Sequence, residues 1–279
     1  MDFIRQYYFD FGFMADHFSP VLDGFWLTLK LSIAGGILSL LWGLVLAVLR
    51  QLPGKALAPV RWLTIAYIDC FRGIPLLIVL LLVSGGLSSL SAAAGGDVIP
   101  DFLGKPTWFG ETSPFWYGVI SLTITYGAYM AEVYRAGIEA VPGGQMEAAR
   151  SIGMSHGQAM RFVIVPQAIR KVIPPLLNDF IALMKDTSLV SILGAAEVVY
   201  AGRQLQSTYF NGSSLVLGAI LFLIVTIPLA RLVDYLIARD QKRTRRGGVG
   251  SGNEPPDMTK FAGGMPPSTG GGGIGGGMA

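Results

Sequence analysis

Polar and helix-breaking residues interrupt an apolar run near position 70. Asp69 and Arg72 are three residues apart, a spacing that places both side chains on one face of a helix. Ionisable groups inside an apolar segment are costly, so they usually face inward and pair. Gly73 and Pro75 follow at once and free backbone groups, which is tolerated at membrane depth where the chain lines a cavity. We assign Arg72, Gly73 and Pro75 to a candidate solute pathway; a structural ion pair beside a proline kink is the alternative.

A second polar cluster lies inside another apolar stretch, where Lys185, Asp186, Thr187 and Ser188 follow one another. Successive polar groups inside a span indicate a water-filled route or a contact between subunits. Hydroxyl side chains are also favoured where transmembrane helices meet. Both interpretations stay open, and a route along the axis between two subunits would satisfy both.

A third polar segment reads EAARSIGMSHGQAMRFVIVPQAIR. It predicts a short helix over Met146–Ile152, a stop at Gly153 and a second helix that ends before Pro166. Ser155 and Gln158 have the spacing of a capping box, which marks the start of that second helix. A membrane protein has little reason to keep a folded helix pair in a cytoplasmic loop unless something docks there. The predicted partner is another protein, and a solvated hairpin is the alternative.

The sequence offers little for enzyme chemistry. His17 and His156 lie outside the apolar runs, Cys70 is the single cysteine, and no zinc-site spacing occurs. The motifs G-x-S-x-G, H-E-x-x-H and G-x-x-x-x-G-K-[ST] are all missing from the sequence. We therefore predict a chain that is not an enzyme, with no metal site and no ATP site of its own.

Composition indicates an integral membrane protein. The 279 residues are 52% hydrophobic and 14% charged, whereas soluble domains carry about 25% charged residues. A helix needs about 20 mostly apolar residues to cross the bilayer. Five segments come near this requirement, although the fourth contains several charges. The predicted spans are Phe25–Leu49, Trp62–Val83, Phe115–Ala131, Pro174–Leu193 and Ser214–Leu236.

The distribution of charge predicts the orientation. Residues 50–61, 135–171 and the tail after Arg231 are rich in Lys and Arg, whereas residues 84–114 are mainly acidic. The positive-inside rule places the three basic segments in the cytoplasm. Two crossings must then separate 135–171 from the tail, and only Pro174–Leu193 can supply the second. The prediction is five transmembrane helices, with the N-terminus outside and the C-terminus cytoplasmic.

The organisation follows from these spans. Residues 1–24 form a predicted N-terminal interfacial segment, because their aromatic side chains suit the headgroup zone. Residues 25–240 form the transmembrane domain, with a cytoplasmic loop over 139–171. Residues 241–279 form a basic and then Gly-rich tail that is predicted to be disordered.

Three further charged residues lie near the ends of the predicted spans. Glu132 and Arg135 are three residues apart at the end of the third span and predict a structural ion pair. Lys30 is the one charged residue of the first span and is predicted to extend towards the outer headgroups.

Several separated motifs now carry a family resemblance. EAARSIG followed by RFVIVPQAIR resembles the cytoplasmic signature loop of binding-protein-dependent ABC importer permeases. GFWLTLKLSIAGG, YIDCFRGIPLL, AYMAEVYRAGIEAVPGGQMEAARSIG and KDTSLVSILG resemble the polar amino acid uptake subfamily, and the likeness covers roughly residues 20–240. The family usually has Thr where this chain has Ile74. The signature positions are Glu147, Ala148, Ala149, Gly153 and Pro166.

The resemblance implies a type I ABC importer permease-like bundle in the bacterial cytoplasmic (inner) membrane. It implies as partners two ABC ATPase subunits, which hold the ATP and Mg, a second permease that is the same or homologous, and an extracytoplasmic substrate-binding protein. The chain itself would carry no cofactor, its solvent would be the lipid bilayer, and nucleic acid would not be a partner. A permease for another small polar solute, or an ATP-independent channel or transporter, is the alternative.

The resemblance also implies residue roles. The helix around Glu147 would lie in a groove of the ATPase, where small Ala148 and Ala149 allow close approach and Gly153 turns the chain. If the cargo is a zwitterionic amino acid, Lys185 could meet its carboxylate and Asp186 its amino group. The identity of that amino acid stays open, because basic, acidic and neutral cargo all fit the sequence.

Overall fold

The computed structural model describes residues 2–52, 54–93 and 104–247, and these ranges contain helices and no strand. The predicted all-α class is confirmed there. The Gly-rich part of the predicted tail, 248–279, lies outside the described residues, as does part of the predicted external loop, 94–103. The described residues up to Asp240 form one compact unit.

In the described part of the chain, three connections between α-helices contain helical turns of another kind. A 3-10 turn spans Trp108–Gly110, a π turn over Met160–Ile164 precedes the α-helix Val165–Asp186, and a 3-10 segment over Thr187–Leu193 follows that helix. The α-helices are α1 (Asp2–Tyr8), α2 (Phe11–Asp16), α3 (Phe18–Arg50), α4 (Ala58–Gly73), α5 (Leu76–Ala93), α6 (Ser113–Glu139), α7 (Gly143–Ser151), α8 (His156–Ala159), α9 (Val165–Asp186), α10 (Val198–Tyr209) and α11 (Ser213–Gly247).

Two helices of the described ranges are long and apolar enough to cross a membrane. These are α3 and the part of α11 up to Gln241, and the pair α4 and α5 makes a third if a bent pair counts as one span. Helix α6, with 27 residues, has the length but is less apolar, and α9 carries charged side chains. The prediction of five transmembrane helices therefore stays a prediction.

The second predicted span, Trp62–Val83, is not one straight helix, because the chain bends by 110° between α4 and α5. Pro75 has no N–H and disfavours helical backbone in the residue before it. Ile74 accordingly has extended backbone, with φ −91° and ψ 130°. Helix α5 also continues to Ala93, so residues 84–93 are helical rather than part of an external loop. Ser88 fits this helix because its hydroxyl donates to the Ser84 carbonyl at 2.6 Å.

The core is built between α3 and α6, which approach closely at small residues. A Cβ at Gly43 would lie 2.9 Å from the Gly127 carbonyl oxygen, and one at Gly127 would lie 2.6 Å from the Trp42 ring. Such contacts let the backbones pack, as glycines do between membrane helices. Apolar side chains of α3, α5, α6, α9 and the 3-10 segment fill the remaining space: Leu31, Leu80, Val119, Leu122, Leu183 and Val190.

The N-terminal helices lie against the corner between α10 and α11. The Gly212 N–H donates to the Tyr7 carbonyl at 2.8 Å, and the Asp10 N–H donates to the Ser213 hydroxyl at 3.1 Å. The long helix α3 already begins at Phe18, seven residues before the predicted start of the span. Residues 18–24 of the predicted interfacial segment therefore belong to α3, and the part before them contains the separate helices α1 and α2.

Candidate functional site

Helix α7 contains the predicted docking residues and ends in a Schellman motif. The Met154 N–H donates to the Ala149 carbonyl at 3.2 Å, and the Gly153 N–H donates to the Arg150 carbonyl at 3.0 Å. Gly153 has φ +88°, the left-handed conformation that ends the helix. The stop predicted at Gly153 is confirmed, although α7 begins at Gly143 rather than at Met146.

The two faces of α7 differ. Ala149 is buried, and Met146 packs with an apolar cluster formed by Val141, Ile164 and Ala168. This packing fixes the helix against the start of α9. Other side chains of α7 do not pack on this cluster: Glu147, Ala148 and Ile152 are exposed, Ile152 to 81%.

The predicted capping box at the start of α8 is confirmed. The Ser155 N–H donates to the Gln158 amide oxygen at 2.8 Å, and the Gln158 N–H donates back to the Ser155 hydroxyl at 3.3 Å. The prediction that this helix ends before Pro166 is wrong. The π turn lets the Val165 N–H donate to the Met160 carbonyl, and Pro166 sits at the N-terminal turn of α9, where an N–H is not needed. The chain is helical without interruption from His156 to Leu193.

An ionic network joins the ends of α3 and α6 just before α7. The Arg50 guanidinium donates to Glu132 Oε2 at 2.6 Å. Arg135 contacts Glu132 Oε1 through Nε at 2.9 Å and also pairs with Glu139. The predicted Glu132–Arg135 pair is confirmed, and it is part of a larger network that includes Arg50.

At the break between α4 and α5, Arg72 and Asp69 do not pair with each other. Both side chains are exposed, and no ion pair joins them in the described chain. The Arg72 guanidinium instead lies over the Tyr129 ring at 5.7 Å from its centroid, and the Tyr129 hydroxyl donates to the Arg72 carbonyl at 3.1 Å. Gly73 and Pro75 form the break beside this contact. The alternative of an Asp69–Arg72 ion pair is wrong.

The four residues of the polar cluster at the end of α9 have different surroundings. Asp186 Oδ2 accepts a hydrogen bond from the Tyr126 hydroxyl at 2.7 Å. Lys185 is exposed and has no ion pair in the described ranges. Thr187 is buried and donates to the Met184 carbonyl at 2.7 Å, while the Ser188 carbonyl accepts from the Ser191 hydroxyl. Of these four residues, Asp186 is the one whose side chain makes a described hydrogen bond to α6.

Sequence reasoning missed three residues that the structure adds to this region. Asp179 lies two turns before Asp186 on the same side of α9, and its Oδ2 atom is buried without a hydrogen-bond partner. Tyr126 and Tyr129 stand on α6 with ring centroids 5.9 Å apart. The i, i+7 spacing of the two aspartates was a usable signal, but the tyrosines depend on tertiary contacts.

Two further polar contacts involve acidic residues outside the predicted spans. Glu111 lies on the predicted external loop, and Glu197 lies between the predicted fourth and fifth spans. Lys30 Nζ contacts Glu111 Oε1 at 2.6 Å, a specific partner in place of the predicted headgroups. Glu197, fully buried, caps α10 by accepting from the Val199 and Tyr200 N–H groups and accepts from Thr28 of α3 at 3.4 Å. The pKa of Glu197 is raised to about 7, because the effect of burial outweighs the opposite effect of these hydrogen bonds.

With this geometry established, comparison with known proteins defines the class. Residues 39–243 match the family described as "Binding-protein-dependent transport system inner membrane component". The chain belongs to this family, and the resemblance predicted from its motifs is confirmed. It is therefore a membrane-spanning transport component.

Individual relatives are more specific. The chain is 36% identical over 235 residues to the probable glutamine ABC transporter permease protein GlnM of Bacillus subtilis, covering 82% of this chain and 97% of that one. It is 31% identical over 244 residues to the glutamate/aspartate import permease protein GltK of Escherichia coli O157:H7, covering 84% and 99%.

A solved structure shares the fold. The chain matches the crystal structure of an amino acid ABC transporter with histidines at a TM-score of 0.70 and 34% identity, covering 82% of this chain and 98% of that one. The methionine ABC transporter MetNI matches at a TM-score of 0.59 and 22% identity, over 78% of this chain and 96% of that one, and this likeness concerns the fold alone.

Proposed function

We propose that the chain is the permease subunit of an ABC importer that carries polar amino acids across the bacterial inner membrane. Five helices cross the bilayer, with the N-terminus outside and the C-terminus in the cytoplasm. The amino acid relatives support the class of cargo. The basic segments before α4 and around α7 support the orientation.

ATP hydrolysis by two separate ATPase subunits supplies the energy, with ATP and Mg bound on those partners. The single observation that carries this proposal is helix α7, which is fixed from behind by Ala149 and Met146 and presents Glu147 and Ala148 outward. Small Ala148 lets a partner approach the helix backbone, and Glu147 can make a charge-assisted hydrogen bond.

Cargo arrives from an extracytoplasmic binding protein and passes along the region between the α4–α5 break and the end of α9. Arg72, Gly73 and Pro75 border this pathway from one side. Lys185, Asp186, Thr187 and Ser188 border it from the other, and a second permease, identical or homologous, completes the route. The Tyr126–Asp186 hydrogen bond supports this arrangement, because it brings the end of α9 to α6, which also contacts Arg72.

Purification of the detergent-solubilised chain from its host membrane tests the proposal. An ATPase should co-purify, and proteoliposomes of the complex with loaded binding protein should take up amino acids in an ATP-dependent way. Glu147→Lys should uncouple ATP hydrolysis from uptake while the chain still inserts. Lys55→Glu, a charge reversal at an exposed residue on the same predicted side, should leave uptake intact. ATP-independent transport by the chain alone would contradict the proposal.

A further inference from the structure

An open apolar groove of about 660 Å³ lies between the end of α3, the end of α6 and the start of α9. Its wall on α3 follows one helix face, because Leu44, Val48 and Leu52 are spaced four residues apart. About half of the surface of Leu44 and of Val48 is exposed. Among the described residues, nothing covers this wall.

Two polar side chains line the groove, and each already bonds to the backbone of α3. The Tyr134 hydroxyl donates to the Leu40 carbonyl at 3.3 Å, and the Gln51 side-chain amide donates to the Ala47 carbonyl at 3.2 Å. The other lining residues are apolar, and none of the lining side chains is charged. An occupant of the groove must therefore be apolar where it contacts these walls.

An arginine stands at the end of the groove that Leu52 forms. Arg61 Nη1 donates to the Leu52 carbonyl and to the Gly54 carbonyl, both at 2.7 Å. These contacts fix the position of the guanidinium through backbone oxygens alone. Arg61 has no ion pair in the part of the chain that the structure describes.

A second arginine stands at the same end, on the wall formed by α9. Arg161 directly follows the lining residue Met160 and lies four residues before the lining residue Val165, so it is on the same side of the helical path. It is exposed, and its guanidinium lies over the Phe162 ring at 5.6 Å from the centroid. Within the described ranges it makes no ion pair.

The carboxylates on the neighbouring part of α6 do not compensate these two charges. Glu132 accepts from both Arg50 and Arg135, and Glu139 pairs with Arg135. That network contains two acids and two arginines, so it carries no net charge. The arginines at the end of the groove therefore give it a net positive charge.

An apolar groove with a cationic end has the complementary chemistry for a lipid with an anionic head group. We infer that this groove binds one anionic phospholipid, whose phosphate contacts Arg61 and Arg161 and whose acyl chain lies along α3 from Leu52 towards Leu44. That wall is about 12 Å long. Basic pockets between membrane helices on the cytoplasmic side bind anionic head groups in this way. Free phosphate would contact the arginines and leave the apolar walls uncovered.

The site goes beyond the proposed function and depends on it for the cytoplasmic placement of α7. Ile138, Met160 and Ala168 line the groove, and the same residues pack in the apolar cluster behind α7. A bound acyl chain therefore covers the outer side of the packing that holds α7 in place.

The test uses the intact complex of the chain with its ATPase, purified in detergent without added lipid. Native mass spectrometry measures the binding of phosphatidylglycerol and of phosphatidylethanolamine with identical acyl chains. Phosphatidylglycerol should bind at least about fivefold more tightly, because an anionic head group gains from each arginine that it meets. Millimolar inorganic phosphate should not displace it, because phosphate gains nothing from the apolar walls.

Variants test the two parts of the site separately. Arg161→Gln and Arg61→Gln should each lower the preference for phosphatidylglycerol about fivefold. Val48→Trp, at a half-exposed position, fills the groove and should weaken both lipids about tenfold or more. Arg170→Gln is the matched control, because it removes an exposed arginine of α9 that does not line the groove. Its lipid binding should equal that of the wild type.

Each contrary result has a definite meaning. Equal affinities for the two lipids in the wild type overturn the site, as does a preference that persists in both arginine variants. Undiminished binding in Val48→Trp places the lipid elsewhere on the bilayer-facing surface and overturns it too. A wild type that binds neither lipid, together with dimers that form through Val48→Cys in a Cys70→Ser background, assigns the groove to a contact between permeases.

These outcomes are separable from failure of the proposed function. Amino acid uptake driven by ATP can continue in every one of the contrary cases, and the permease function then stands without the lipid site. Absence of uptake by a lipid-supplied wild-type complex would contradict the permease function, whereas the lipid preference and its loss in Arg161→Gln are measured without transport.

Discussion

Arg50, the last residue of α3, donates to Glu132 of α6 at 2.6 Å, and this contact joins the ends of two long helices shortly before α7. Both side chains are largely shielded, with 23% and 21% exposure. Arg50→Gln should lower stability by about 2 kcal/mol, because a charged hydrogen bond is lost. Thermal unfolding of the purified chain, followed by size-exclusion chromatography, measures the change. Lys55→Gln, an exposed lysine five residues further on, should leave the midpoint unchanged; equal midpoints for the two variants would show that the network is not stabilising.

Gly137 allows α6 and α9 to pack closely. A Cβ at this position would overlap the Val172 side chain and would lie 3.5 Å from the Ala168 carbonyl oxygen. Gly137→Ala should therefore destabilise the protein by about 1–3 kcal/mol through overpacking. Gly144→Ala in α7 is the matched control, because nothing lies within 4 Å of the position its Cβ would take and alanine favours helix. The same unfolding measurement applies, and a stable Gly137→Ala would mean that Val172 moves away freely.

Gly153 ends α7 in the left-handed conformation. Gly153→Ala should cost about 1 kcal/mol and should disturb the angle at which α7 meets a partner. Uptake should fall more than the amount of protein in the membrane. Gly157→Ala changes a glycine of the same helix pair that lies in open space without a positive φ, so its uptake should be normal. Parallel losses in both variants would indicate that the loop tolerates no methyl group at all.

Glu197 predicts a pH dependence of stability. Its pKa in the folded protein is about 7, above the 4.5 of the unfolded chain. Between pH 4.5 and 7, the Glu197 carboxyl is ionised in the unfolded chain but still protonated in the folded protein. The free energy of unfolding is therefore highest at low pH and falls as the pH rises towards 7. The loss is on the order of 3 kcal/mol and levels off above pH 7.

Thermal unfolding between pH 5 and 8 measures this trend. Val199 and Tyr200 donate to different oxygens of Glu197, so Glu197→Gln keeps one of these two acceptors, removes the titratable group and should flatten the profile. Asp16→Asn, at an exposed aspartate, should leave the profile as in the wild type. A slope that persists in Glu197→Gln would assign it to another group.

Substitution of Lys185 distinguishes a solute pathway from a contact between two permease subunits. Lys185→Ala should lower uptake in proteoliposomes more than it lowers membrane abundance, because an exposed lysine beside the route attracts or guides charged cargo. Lys171→Ala, which removes a lysine nearer the start of α9, should change neither. An equal fall of uptake and abundance in Lys185→Ala would favour the contact between permeases.

Short-range signals in the sequence predicted local features correctly. Ser155 and Gln158 formed their capping box, and Gly153 its turn, because such motifs depend on neighbouring residues alone. Pro75 likewise marked the break before α5. Pro166 misled the prediction, because the π turn before it shifts the hydrogen-bond pattern and allows the helix to continue. That adjustment leaves no clear trace in local composition.

The sequence alone did not identify which side chains from distant parts of the chain contact each other. Glu111 binds Lys30 across 81 positions, and Tyr126 binds Asp186 across 60. Asp69 and Arg72 had the spacing of a pair, but the ring of Tyr129 competes successfully for the guanidinium. Helical spacing states which side chains are near one another on one helix, whereas a second helix decides which of them actually meet.

The uninterrupted helical path that begins at His156 has a mechanical consequence. From there to Asp186 the path measures about 45 Å at 1.5 Å per residue, and its lower end packs on α7 through Ile164 and Ala168. No non-helical residue separates the part that packs beside α7 from the part that carries Asp179 and Asp186. A change in the tilt of α7 would therefore displace these two carboxylates relative to the break between α4 and α5.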